Sequence, residues 1–251
     1  MRAFAILFLA AMSVGLDITT QPGRAGQAPI VAVWYRGTPP GVPKLDDLAA
    51  LRTAGFAGVR WPADQSSGLA QLVRLAASVD LAVVTIGGLD VAVATDASTP
   101  TAVIWRALAH GVRVIAIDPG QKAGTGLTDR RGVRRPWVRP AAATANQVSA
   151  NQRLLAEMQP GPAVTMASPA PRGLEVLLLD GGRGWVLVAT NTSRAEVRAV
   201  AQLPPGVPAA LWVSLLDGSM MSMLRQSAGA RWTFTIGAGE ALVYVIDKTT
   251  R

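Results

Sequence analysis

Two hydrophobic rhythms divide the chain, and they change over near residue 160. In the first, short runs that are apolar at nearly every position alternate with segments of helical spacing. Ile30–Tyr35 (IVAVWY) opens it as a strand. Lys44–Ala54 then sets Leu45, Leu48 and Leu51 on one face of a helix closed by Gly55. Gly58–Trp61 (GVRW) is a second strand. A helix capped by Ser67 runs to Val79 and buries Leu69, Leu72, Val73 and Leu75. Leu81–Ile86 is a third strand and Val91–Thr95 a fourth. Thr101–Gly120 holds the clearest unit. Val103, Trp105, Leu108 and Ala109 recur at helical spacing, Gly111 ends the helix, and Val112–Ile117 is a strand apolar throughout. Trp137–Met158 reads as one long helix with Val138, Val148, Leu154, Leu155 and Met158 apolar.

After Pro160-Gly161-Pro162 the rhythm becomes short strands between turns. Leu174–Leu179, Trp185–Thr190, Val197–Leu203, Leu211–Leu215, Trp232–Ile236 and Leu242–Ile246 predict an antiparallel sandwich of six to eight strands. The predicted organisation is a signal peptide and linker over 1–29, an α/β domain over 30–160 and a β-sandwich over 161–251. The order β-α-β-α-β calls for right-handed crossovers and a parallel sheet. One join breaks that order. Only Gly87–Asp90 separates the third strand from the fourth, and a parallel crossover needs about a dozen residues. The two strands are therefore not parallel neighbours: either they pair antiparallel or one is not in the sheet.

Composition adds an address and removes some chemistry. Met1-Arg2 followed by the apolar Ala3–Leu16 has the form of a secretory signal, too short for a firm membrane span, so a secreted or periplasmic protein is expected. There is no cysteine, so disulfides and thiolate metal sites are excluded. The single histidine, His110, cannot build a metal cluster and is expected at a helix C-terminus. The glycine pairs match no phosphate-binding loop, so no cofactor is expected. The net charge is +8, and Arg130, Arg131, Arg134, Arg135 and Arg139 form its densest cluster. Aromatic residues are not interleaved there, so the cluster reads as a solvated loop and no nucleic-acid partner is expected.

Three aspartates fall just past strand ends: Asp64, Asp96 and Asp118. Ligands of α/β folds bind at those ends. General acid–base chemistry by carboxylates needs two such groups facing one bond. These three are the catalytic candidates, although each also sits well for capping a helix or turn. Trp34, Tyr35 and Trp61 lie near the same ends and are candidates for binding a substrate by stacking on its ring, with core packing the alternative.

Two blocks of the chain carry a family resemblance. Val33–Pro62 (VWYRGTPPGVPKLDDLAALRTAGFAGVRWP) and Trp105–Pro160, beginning WRALAHGVRVIAIDPG, resemble the opening and closing units of secreted glycoside hydrolases of the (β/α)8 type, particularly β-galactosidase-like families. The tail, with GWVLVATNTS, LWVSLLDGS and GEALVYVI, resembles the sandwich that follows many such barrels. The resemblance implies an incomplete TIM-like barrel, an all-β sandwich and a carbohydrate partner. The family carries its catalytic glutamates on middle and late strands, whereas this chain has no glutamate before Glu157. It therefore implies a catalytic centre lost or rebuilt. The alternative is a non-catalytic protein on a degenerate scaffold, binding carbohydrate or forming homo-oligomer contacts.

Overall fold

The computed structural model describes residues 28–37, 41–61, 68–84, 90–94, 100–119, 125–129, 131–209, 211–226 and 229–248. The α/β part runs β1 (Ile30–Trp34), α1 (Leu45–Ala54), β2 (Gly58–Arg60), α2 (Leu69–Ser78), β3 (Ala82–Val84), β4 (Asp90–Ala94), α3 (Pro100–Ala109), β5 (Val114–Asp118), α4 (Val138–Ala150) and α5 (Gln152–Ala156). Its five strands form one parallel sheet in the order β3-β2-β1-β5-β4. The short join is resolved in a way neither alternative foresaw. β3 and β4 both belong to the sheet, on opposite edges. Each finds a parallel partner elsewhere, so no tight parallel crossover is required.

The helices contact one another in the series α2-α1-α4-α3. They share one core with Val31, Val33, Tyr35, Val59, Trp61, Ile115 and Ile117, all on one face of the sheet. Several local expectations shift. The cap position of α2 is Gly68, and Ser67 lies outside the described residues. Leu72 and Ala76 are buried there, whereas Val73 is 47% exposed. The long helix after residue 137 breaks at Asn151, whose side-chain amide donates to the Gln147 carbonyl at 2.8 Å in competition with the helical ladder.

The β part contributes β6 (Gln159–Pro160), β7 (Thr165–Met166), β8 (Leu174–Asp180), β9 (Gly184–Asn191), β10 (Val197–Gln202), β11 (Leu211–Ser214), β12 (Met220–Ser222), β13 (Leu224–Gln226), β14 (Gly229–Ile236) and β15 (Ala241–Asp247). They make two antiparallel sheets, β12-β11-β15-β9-β8-β6 and β13-β14-β10-β7. All six expected segments are strands. Trp232, Phe234 and Tyr244 form the aromatic centre between the sheets, with Trp232 and Phe234 stacked at 4.0 Å. Buried Asn191 fixes the turn after β9: its amide donates to Ala195 and Gly237 carbonyls, and its oxygen accepts from the Ser193 N–H.

The larger β-sheet is a middle layer. Leu178, Leu187 and Ile246 face the smaller sheet. Leu179, Val186, Val188, Ala241 and Val243 belong instead to the α/β core, against α3. This explains why α3 is buried nearly all round, at Ala102, Ile104, Trp105, Ala107, Leu108 and Ala109. A helix apolar on every side belongs between two layers.

Candidate functional site at the carboxyl edge of the parallel sheet

Strand pleating sends alternate residues to opposite faces, and the register shows which of them meet. Ala32 is paired with Gly58 and Ala116, and Gly58 with Ala82. This face therefore carries a row of small residues. Its packing is close: a Cβ on Gly58 would lie 2.8 Å from Ile30 Cδ1. One layer nearer the carboxyl edge, Trp34 is paired with Arg60, and Asp118 lies one step beyond the Val33–Ile117 pair. Arg60, Trp34 and Asp118 thus stand on three adjacent strands, at one level and on one face.

The six candidates separate accordingly. Trp34 and Asp118 share the small-residue face. Tyr35 and Trp61 belong to the helix-facing core, 0% and 3% exposed, with ring centroids 5.7 Å apart. Asp64 and Asp96 lie outside the described residues. Tyr35 has a structural task. Its hydroxyl donates to Asp47 at 2.8 Å and accepts the Lys44 N–H at 3.0 Å, so it caps α1, whose cap residue supplies no side-chain bond. Burial raises its phenol pKa; the Lys44 N–H opposes this and the Asp47 carboxylate adds to it.

Sequence reasoning missed two arginines. The Arg60 guanidinium carbon lies 4.6 Å from the centre of the Trp34 ring and that of Arg36 lies 5.4 Å from it. Arg60 is only 8% exposed. The Trp34 Nε1 donor is buried and has no acceptor among the described residues. The signal was the GVRW strand itself, where an arginine interrupts an apolar run beside the site.

His110 follows directly after α3, at the helix C-terminus as expected, but its ring has a partner that was not expected. It reaches across to the β part, with Nε2 2.9 Å from Glu175 Oε1 on β8. Arg106 Nε is 2.6 Å from Glu175 Oε2, near enough for an ion pair but off the hydrogen-bond direction. Burial pushes the Glu175 carboxyl up, but the His110 hydrogen bond and the two nearby charges outweigh this, so its pKa is lowered. The same junction holds two shallow cavities of about 320 and 150 Å³, flanking Pro160. They lie toward the amino-terminal end of the sheet, away from Trp34. Asp180, in the wall of the larger one, is held ionised chiefly by the Lys248 ammonium. Among the described residues no group of three or more His, Cys, Asp or Glu could hold a metal ion, and no helix is long and apolar enough to cross a membrane.

No family model matches the chain, and no curated protein matches it. Among similar solved structures is a maltogenic α-amylase from Thermotoga neapolitana, at TM-score 0.41 and 9% identity, covering 76% of this chain and 51% of that one. An Anoxybacillus α-amylase gives TM-score 0.41 and 10% identity over 84% of this chain and 52% of that one. A GH30 endoxylanase from Clostridium papyrosolvens gives TM-score 0.33 and 12% identity over 76% and 48%. The chain spans about half the length of these glycoside hydrolases.

Proposed function

We propose that the chain is a secreted or periplasmic, glycoside-hydrolase-like protein that binds carbohydrate on an incomplete TIM-like barrel, with little or no catalysis remaining. The topology supports the barrel reading. In a (β/α)8 barrel the first strand is flanked by the second and the last. Here β1 is flanked by β2 and β5, the last parallel strand. The steps β1 to β2, β2 to β3 and β4 to β5 all move the same way along the sheet, and the four long helices line one face. A doubly wound sheet reverses direction and puts helices on both faces.

Chain reach supports curvature as well. Five residues, 85–89, join Val84 to Asp90. Six links span at most about 22 Å. A flat sheet would separate the outer strands by about 19 Å, and the register adds a descent of about 13 Å, a diagonal near 23 Å. A curled sheet would shorten that path, and the small row Ala32, Gly58, Ala82 and Ala116 would suit its concave side.

The observation that carries the functional reading is the alignment of Arg60, Trp34 and Asp118 at the carboxyl edge, where barrel enzymes keep their sites. Only one aspartate stands there among the described residues. Two carboxyl groups with separated pKa values are needed for turnover. Purified protein should give little or no hydrolysis of aryl galactosides or glucosides. Robust turnover that disappears in Asp118→Asn or Asp96→Asn, with the circular dichroism spectrum unchanged, would establish a rebuilt aspartate pair and overturn this reading.

A further inference from the structure

We propose that Met220 is a site of reversible oxidation: a hydroperoxide converts its thioether to the sulfoxide ahead of Met158, Met166, Met221 and Met223, and the fold survives. The chain has seven methionines and no cysteine, so thioethers are the only sulfur groups an oxidant can meet.

Pleating divides the run Met220-Met221-Ser222-Met223, because successive side chains of a strand take opposite faces. In β12, Met221 is paired with the fully buried Trp212 and packs against the core between the two β-sheets. Met223 lies in the same core and is 7% exposed. Met220 takes the other face and is 68% exposed. Met166 packs against the sandwich core, and Met158 is 5% exposed within the α/β core. Among the described residues, one thioether therefore stands in water while the others are packed.

The neighbours of Met220 show what its oxidation would change. One row crosses the larger sheet through paired residues: Leu179, Val186, Val245, Val213 and Met220. Exposure climbs along it, from 4% at Leu179 and 0% at Val186 to 40% at Val213 and 68% at Met220. α3 packs on β8, β9 and β15, and β11 and β12 lie beyond them. Met220 thus ends an apolar row on an edge strand, Met220–Ser222, that carries no charged residue. Edge strands are commonly guarded by charge. Oxidation would supply polarity there, since it turns a flexible apolar side chain into a polar one.

The chemistry is the transfer of one oxygen atom. A sulfur lone pair attacks one peroxide oxygen and the O–O bond breaks. That oxygen stays on sulfur as the sulfoxide, and the other leaves with the protons as water. Sulfur is oxidised by two electrons and the peroxide is reduced. At Met220 the new polar group meets solvent, so no packing partner is lost. At Met221 or Met223 it would enter the sandwich core, which is costly unless it finds a donor. The same exposure leaves the Met220 sulfoxide open to a methionine sulfoxide reductase with its thiol reductant, which returns the thioether.

The test is timed exposure of the full chain to hydrogen peroxide, native and in urea, with each methionine followed by peptide mapping and fragment mass spectrometry. In the native chain Met220 should gain one oxygen at least about tenfold faster than Met158 and Met223, and in urea the rates should converge. Protein carrying that single oxygen should keep the urea midpoint of the untreated chain. A methionine sulfoxide reductase should remove the oxygen under native conditions. Met220→Leu should abolish the fast site and leave the slow ones in place. Oxidation of Met221 or Met223 as fast as that of Met220 overturns the inference, because pleating would then not separate them. A Met220 that stays reduced in the native chain but reacts in urea also overturns it, since another surface must then cover the sulfur. A urea midpoint lowered by the first oxygen overturns the survival of the fold.

Discussion

The two faces of the parallel sheet are built from the same three central strands and do opposite work. Toward the helices stand Val31, Val33 and Tyr35, Val59 and Trp61, Ile115 and Ile117, all buried in one core. Toward the other side stand Ala32, Gly58 and Ala116, then Trp34, Arg60 and Asp118. One face is large and apolar, and its bulk fixes the helices. The other is small in its middle layer, between Ile30 and Val114 at the amino-terminal end and the carboxyl edge, where it becomes aromatic and charged. The difference teaches that in a sheet buried on both sides the informative contrast is size, because polarity barely alternates until the last residues.

If packing energy lies on the helix face, truncation there should cost the most. Ile117→Ala should lower stability by about 2–5 kcal/mol, read as a shift of the urea midpoint at unchanged slope. Overfilling the small face should cost less. Gly58→Val places its first carbon 2.8 Å from Ile30 Cδ1 and 3.3 Å from Ala32 Cβ. The end of Ile30 can give way, so the expected loss is about 1–3 kcal/mol. A Gly58→Val loss larger than that of Ile117→Ala would mean that the small face is the tighter of the two and would break the contrast.

This division was partly legible. IVAVWY, GVRW and VIAID announce strands, and the alternation of large and small residues within them records the two faces. Reading these runs only as apolar put Trp34, Tyr35 and Trp61 into one group. Pleating splits them, since Trp34 is one residue out of phase with Tyr35. Strand order was not legible, because it is set by pairings between residues far apart in sequence, such as Ala32 with Ala116. The β part was easier. β14 (GARWTFTI) alternates strictly because one side meets water, whereas β9 (GWVLVATN) is buried nearly throughout because it lies between two layers. The His110–Glu175 contact spans 65 residues between two elements that carry no mutual pattern, so nothing local pointed to it.

The smallest expected effect separates the neighbours Trp34 and Tyr35. Tyr35→Phe should cost about 1 kcal/mol at neutral pH, because the Lys44 N–H at the start of α1 loses its acceptor and Asp47 loses a donor. The cost should depend on pH in a known direction. Burial, the largest cause, raises the folded phenol pKa above that of the unfolded chain. Below about pH 10 both states keep the proton and the full contribution is present. As pH rises further the unfolded chain releases its proton first, so the contribution is lost progressively toward the folded pKa. Urea titrations should therefore show the wild type and Tyr35→Phe converging above about pH 10. Tyr244, also raised chiefly by burial, is common to both proteins and does not enter the difference. A gap that stays constant with pH would mean that the Tyr35 hydroxyl is not held by the fold. Trp34→Phe should behave differently: it removes a donor that has no acceptor among the described residues, so it should leave this pH dependence unchanged.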